Sequence, residues 1–422
     1  MIFSDQEVSA LTERFCRYVQ IDTQSDPTAT CFPSTEKQKD LGRVLVDELS
    51  ALGAKEVEMD VSGYVYATIP ATVLAPDSVP VIAFCAHMDT SPDCSGRGIK
   101  PIIHRKWSGQ PVVLPDDTTQ VIRIEDHPDL ESQIGHDLIT ASGTTLLGAD
   151  NKSGVAAIMT AVAHWLQNPA IPHGTIRILF TPDEEIGRGT DHLDLTKLGA
   201  DFAYTIDGET CGSIENETFS ADGAKVVIHG VGTHPGFAYG KLVNALKIAS
   251  HLIQLLPQDR LSPETTQGRE GFIHPVSIQG QAERAEVEFI LRDFDEERLS
   301  ALGIYLHEIC ASLRVQYPAA RIEVTLTPQY RNMREVLDQH PAVIEHALEA
   351  IRRAGITPKL QAIRGGTDGS RLSWMGLPCP NLFAGEHAFH SRQEWVSVQD
   401  MCKAAEVIVH LSQIWAETKK SV

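Results

Sequence analysis

The chain has 422 residues, 42% of them hydrophobic and 22% charged, with a formal net charge of −20. That length exceeds what one ordinary core fills, so two domains are expected. The acidity excludes a basic face for nucleic acid, whose phosphates would repel it.

No run approaches the roughly 18 consecutive apolar residues of a membrane helix. The opening MIFSDQEVSALTERF lacks the basic and apolar regions of a secretory leader. Eight cysteines are scattered without a CxxC pair, which predicts free thiols in a cytoplasmic protein and no thiolate metal site.

In chain order, residues 5–20 and 35–52 read as amphipathic helices. The apolar run 79–86 reads as a buried strand. Ile158, Ala161, Val162, Trp165 and Leu166 share one face of a helix over 154–166, with Asp150 and Asn151 where an N-cap belongs. Residues 175–181 and 202–206 are two further strands. This alternation predicts an α/β domain with a mainly parallel sheet.

The middle differs. A strand at 225–230, a helix at 241–256, strands at 271–279 and 285–293, a helix at 296–317 and a strand at 321–327 follow the order of a small ferredoxin-like α+β domain. Helices at 340–354 and 398–415 then return to the first pattern. The expected division is a catalytic domain of residues 1–217 plus 329–422, interrupted by an inserted lid of residues 218–328.

Candidate chemistry sits at strand ends: His87 and Asp89, Asp150, Glu184 and Glu185, Asp207, and His390 in a loop after 380–383. A parallel sheet brings its carboxyl-terminal strand ends to one edge, where ligands bind. Two histidines and several carboxylates suit zinc, cobalt or manganese. Crowded carboxylates are costly without a cation. One metal needs about four ligands, whereas two metals sharing a carboxylate would use the whole set.

In isolation each feature has an ordinary explanation. Asp150 could cap a helix, Glu184-Glu185 could be a solvated turn, and Asp207 could cap the turn before Gly208. In an extended segment Glu184 and Glu185 would point opposite ways, and Asp89 is spaced to orient the ring of His87. His104, His127, His136, His164, His173, His251, His307 and His410 read as surface or satisfied histidines. His387 is the nearest lookalike of His390. The run Gly365-Gly366-Thr367-Asp368-Gly369 lacks a phosphate-loop ending and is expected to bring backbone close to the pocket. No GxSxG, HExxH or Walker sequence occurs.

The motifs AHMDTSPDCSGRG, TLLGADNKSG, FTPDEEIGRGTDH, YTIDG, HPGFAYGKLVNAL, IRGGTDGSRLS and MGLPCPNLF run almost end to end. Through them the chain resembles the peptidase T family of co-catalytic dizinc exopeptidases, related to glutamate carboxypeptidase and acetylornithine deacetylase. The resemblance implies a tripeptide aminopeptidase with two Zn2+, for which Co2+ or Mn2+ could substitute. It implies that His87, Asp150 and Asp207 hold one ion and that Asp150, Glu185 and His390 hold the other. Glu184 would be the general base and Asp89 the partner of His87. His234 on the lid would polarise the substrate carbonyl, and Arg292 and Arg364 would take the peptide carboxylate. It also implies a small peptide as substrate, no nucleic-acid or membrane partner, and a homodimer through the inserted domain. Glu386 and His387 depart from the family's aromatic-Asn-aromatic-His-Gly run. The alternatives are an N-acyl amino acid deacylase of the same group and a non-catalytic metal- or peptide-binding protein.

Overall fold

The computed structural model describes residues 2–419 and divides them into two compact units. The first holds the chain up to Asn216, then Glu335–Gln361, then the chain from Thr367 onward. The second holds Glu217–Arg334 with Ala362–Gly366.

The first unit is built on an eight-stranded sheet. Its order is Lys55–Met59, Val65–Ile69, Ile176–Thr181, Ile82–His87, Phe202–Gly208, Asn381–Phe383, Ser213–Thr218 and Lys359–Ile363. The four central strands run parallel, and the strands flanking them are antiparallel. Ile82–His87 is buried at every position, as a strand covered on both faces must be. Register fixes the shared edge: His87 pairs with Thr181, and Phe383 with Gly208.

Helix Ala149–Gln167 is buried almost throughout. It lies so close to strand Phe202–Gly208 that a Cβ on Gly154 would stand 1.9 Å from the carbonyl oxygen of Ile206. Helix Asp5–Val19 starts at a capping box of Ser4 and Glu7, which satisfies two otherwise free amides. A second, small sheet joins Glu386–His387, Trp395–Ser397, Leu138–Thr140 and Ile102–His104.

The second unit runs strand, helix, strand, strand, helix, strand. Its antiparallel sheet has the order Phe272–Gly280, Arg284–Asp293, Ser220–His229, Arg321–Tyr330, which is the ferredoxin-like arrangement. Along Arg284–Asp293 burial alternates at every residue. Val287, Phe289 and Leu291 face a core shared with Ile248, Leu252 and Leu306 of the two helices.

The unit differs in extent from the expected 218–328. Its last strand continues to Tyr330, and the segment Ala362–Gly366 joins it. The Phe219 amide donates to the Ile363 carbonyl at 3.2 Å. Gly366 is packed so tightly that a Cβ there would lie 2.3 Å from the Tyr330 ring. The close approach at Gly366 is thus to Tyr330 and not to the pocket, and Arg364 belongs to this unit rather than to the first one. Among the described residues, no helix is long and apolar enough to cross a membrane.

Candidate active site

His87 ends its strand with only 2% exposure, and Asp89 behind it is wholly buried. His87 Nδ1 lies 3.1 Å from the Asp89 carbonyl oxygen and 3.3 Å from its Oδ1. The same carboxylate accepts the backbone N–H of Glu184 at 3.0 Å and of Glu185 at 3.2 Å. Asp89 thus sets both the ring and the acidic turn.

That turn is not extended, as the sequence suggested. Glu184–Ile186 is a 3₁₀ turn entered through Asp183 at φ 58°. Successive side chains in such a turn still diverge, by about 120°. The left-handed backbone of Asp183 is held by its carboxylate, which accepts from the Ser34 amide and from Gln38 Nε2, each at 2.6 Å.

Asp150 lies at the start of helix Ala149–Gln167 but does not cap it. Its ψ of 106° is not helical, and Asn151 Oδ1 accepts the Gly154 amide at 3.2 Å instead. The Asp150 carboxylate is free to face two imidazoles. Oδ1 is 2.9 Å from His87 Nε2, and Oδ2 is 3.2 Å from His390 Nε2. His390 Nε2 is also 2.8 Å from Glu185 Oε2, and its Nδ1 is 3.1 Å from Asp93 Oδ2. Asp207 Oδ1 lies 3.4 Å, and Glu184 Oε2 4.0 Å, from His87 Nε2.

Glu394 was not singled out in the sequence, and Glu386 was noted there only as a departure from the family run. Glu394, buried, accepts the amides of Leu147 at 2.6 Å, Gly148 at 2.8 Å and Asp150 at 3.0 Å, fixing the backbone beneath Asp150. Glu386, also buried, accepts from Ser153 Oγ at 3.1 Å. It brings an oxygen within 4.8 Å of ligand atoms of Asp150 and Asp207. Nothing in the local sequence marks Glu394, which follows Ser391-Arg392-Gln393.

Burial pushes Glu185 up to about 8, helped by Asp150, and Asp207 up to about 6. Burial also raises Glu184 well above the usual carboxylate range. Burial pulls His390 down, but its bonds to Asp150 and Glu185 outweigh this and take it to about 11. The cluster holds more acid than the two imidazoles neutralise, and Glu185 Oε1 is buried without a hydrogen-bond partner. His87, Asp150 and Glu185 each offer a ligand atom within 4.8 Å of the others. Such N/O donors fit divalent metal ions.

The other expected site residues lie in the second unit. Arg292 donates to the carbonyls of Leu291 at 2.9 Å and Asp222 at 3.3 Å. Arg364 donates to the carbonyls of Gly268 at 2.9 Å and Glu270 at 3.0 Å and to Thr266 Oγ1 at 3.0 Å. His234 is exposed, and its Nδ1 accepts the Gly236 amide at 3.1 Å. His387, the lookalike of His390, is absent from the cluster and instead stacks on Trp395.

Residues 136–413 match the family described as Peptidase family M20/M25/M40. Peptidase T of Geobacillus thermodenitrificans (strain NG80-2) is 47% identical over 407 residues, 96% of this chain and 98% of that protein. Peptidase T of Aliivibrio fischeri (strain ATCC 700601 / ES114) is 46% identical over 410 residues, covering 97% and 99%. Among solved structures, aminopeptidase PepT from Bacillus cereus ATCC 10987 aligns with a TM-score of 0.73 at 25% identity, covering 97% of this chain and 99% of that one. A dinuclear metal-binding peptidase of the M20 family from Bacillus subtilis shares the fold, with a TM-score of 0.65 at 16% identity and coverage of 98% and 100%. The chain belongs to the peptidase family M20/M25/M40, within which the peptidase T proteins are its relatives.

Proposed function

We propose that this chain is a cytoplasmic metallo-aminopeptidase that removes the N-terminal residue from tripeptides with two zinc ions, for which cobalt or manganese can substitute. One observation carries the reading: the two oxygens of Asp150 face two different imidazoles, His87 and His390, each flanked by a further carboxylate. His87, Asp150 and Asp207 would hold one ion, and Asp150, Glu185 and His390 the other. When bound, such a pair supplies Lewis acidity to the scissile carbonyl and to the attacking water.

The protein's own residues account for the proton transfers. Glu184, placed by the Asp89-anchored turn, takes a proton from the water as its oxygen adds to the carbonyl carbon. It then delivers that proton to the amine nitrogen as the C–N bond breaks. Asp89 is a positioning residue, since it fixes His87 and the backbone of Glu184. Arg292 and Arg364 would take the peptide carboxylate. Among the described residues neither guanidinium has a carboxylate ion pair, and a guanidinium fork matches that group.

His234 would polarise the substrate carbonyl. It is exposed on a loop with Phe237 and Tyr239, which are 72% and 101% exposed, and this supports its meeting another surface. A homodimer through the second unit is consistent with the exposed Val276 and Ile278 on its edge strand. The cytoplasmic location rests on eight free cysteines.

The test is a panel of four substrates: a tripeptide, its dipeptide, its N-acetylated form and an N-acyl amino acid. The expected result is cleavage of the free tripeptide, lost on chelation and restored by zinc, cobalt or manganese. Preferential hydrolysis of the N-acyl amino acid would make the protein a deacylase. Full activity in verified metal-free protein would end the two-metal account.

A further inference from the structure

A second group of potential ligands shares no residue with the cluster around Asp150. Asp129 on the turn Pro128–Gln133, Glu209 just beyond strand Phe202–Gly208, and His387 each present a ligand atom within 4.8 Å of the others. Asp129 and His387 line a cleft of about 240 Å3 that Cys211, His136 and Asp400 also border, and Glu209 stands against His387.

His387 gives this group its meaning. It is 2% exposed, and its ring lies flat on Trp395 at 4.1 Å with 8° between the planes. Strand pairing of His387 with Trp395 fixes the backbone beneath it. Neither ring nitrogen makes a hydrogen bond, although Nδ1 stands 3.4 Å from Glu209 Oε1. A buried imidazole whose two nitrogens make no hydrogen bond is costly, and native structures almost always give such atoms a partner. The neighbouring imidazole has one: His136 Nδ1 is 2.8 Å from Gln133 Oε1 and 3.0 Å from Ser397 Oγ. Packing alone therefore does not account for His387.

The surroundings select the missing partner's charge. Asp129 and Asp400 in the cleft, with Glu209 beside His387, set three carboxylates against the one ammonium of Lys359 among the lining residues. An anion is disfavoured there. Imidazole nitrogen with carboxylate oxygen, and a thiol at the margin, suits a borderline divalent transition ion better than calcium or magnesium, which prefer all-oxygen shells.

We propose that His387, Glu209 and Asp129 form an additional divalent-metal site of the zinc class, apart from the catalytic cluster. Solvent can supply the remaining ligand through the exposed Asp129 side.

The protein is stripped with a chelator, dialysed against Zn2+, freed of excess metal and counted by plasma mass spectrometry. Crystals of the same sample are mapped by anomalous scattering at the zinc edge. The expected result is a peak about 2.0–2.2 Å from a His387 nitrogen and the two carboxylates. His387→Phe keeps a ring on Trp395, and Glu209→Gln alters a half-exposed side chain; each should bind one equivalent fewer per chain than the unaltered protein. An unchanged count in folded His387→Phe, or a map with no peak between these three residues, overturns the proposal and leaves water as the occupant. Should His387→Phe not fold, Glu209→Gln and the map decide. Both readouts are a difference and a position, so neither depends on how many ions the Asp150 cluster holds.

Discussion

Glu184 owes its place to its neighbour's carboxylate rather than to its own side chain. Asp89 holds the Glu184 amide, so Glu184→Gln leaves that anchor intact while removing the proposed proton acceptor. Its kcat should fall roughly 10²–10⁴-fold with metal content and melting temperature unchanged. Near-normal kcat would reassign the base. Arg292→Ala should raise KM for tripeptides about 10-fold, the loss of a charge-assisted bond of about 1.5–3 kcal/mol. A C-terminally amidated tripeptide, lacking the charge, should be affected far less. Equal penalties on acid and amide would mean that Arg292 serves only its contacts to Leu291 and Asp222. Most of the residues that converge around Asp150 were legible because His87, Glu184, Glu185 and Asp207 stand at or just past the ends of parallel strands, where topology gathers them. Glu394 was not, because the amides it holds lie 244 to 247 positions earlier. Nor was Asp183, whose partners Ser34 and Gln38 are 149 and 145 positions away.

At the scale of elements, the site depends on helix Ala149–Gln167 lying against strand Phe202–Gly208. Gly154 is the point of contact, and a Cβ there would meet both the Ile206 carbonyl oxygen at 1.9 Å and Asn151 Oδ1 at 2.3 Å. Those atoms adjoin Asp207 and Asp150 in the chain. Gly154→Ala should therefore destabilise the protein by about 1–3 kcal/mol, a typical cost of overpacking. It should also lower the affinity of the cluster for metal, since the two carboxylates are pushed apart. Calorimetry and metal titration check both, and an unchanged affinity would show that the helix moves without carrying Asp150. Helix Asp5–Val19 and the alternating strand Arg284–Asp293 were legible from periodicity, because one face of each is buried. The small sheet of Glu386–His387, Trp395–Ser397, Leu138–Thr140 and Ile102–His104 was not, as strands of two or three residues are too short to show a period. The segment Ala362–Gly366 was misassigned for a related reason. Contacts of Gly366 and Arg364 place it with the second unit, and no local pattern encodes them.

For the molecule as a whole, the buried cluster couples stability to protons and metal. Glu185, pushed up to about 8, and Glu394, pushed up to about 7, bind protons in the folded state at pH values where the unfolded chain has lost them. Burial is the first cause in both. His390, raised to about 11 by Asp150 and Glu185 against the effect of burial, acts in the same direction. A group whose folded pKa is raised favours folding below its unfolded pKa, and that contribution is lost as pH rises through the folded one. Between about pH 5 and 7 these groups should make the metal-free protein lose stability as pH rises, and above that the buried Lys152, pulled down to about 7 by burial, opposes them. Asp150, held below the usual range by His390 and His87 despite its burial, works the other way, but only in more acidic solution. Metal bound by this cluster should reverse the trend, because ions bind deprotonated carboxylates and neutral imidazoles and would displace the protons that otherwise stabilise the fold. The difference in melting temperature between zinc-loaded and metal-free protein should widen steadily from pH 5.5 to pH 8, read by scanning fluorimetry in matched buffers. A difference that stays constant or narrows would show that the cluster is not where metal and folding are linked.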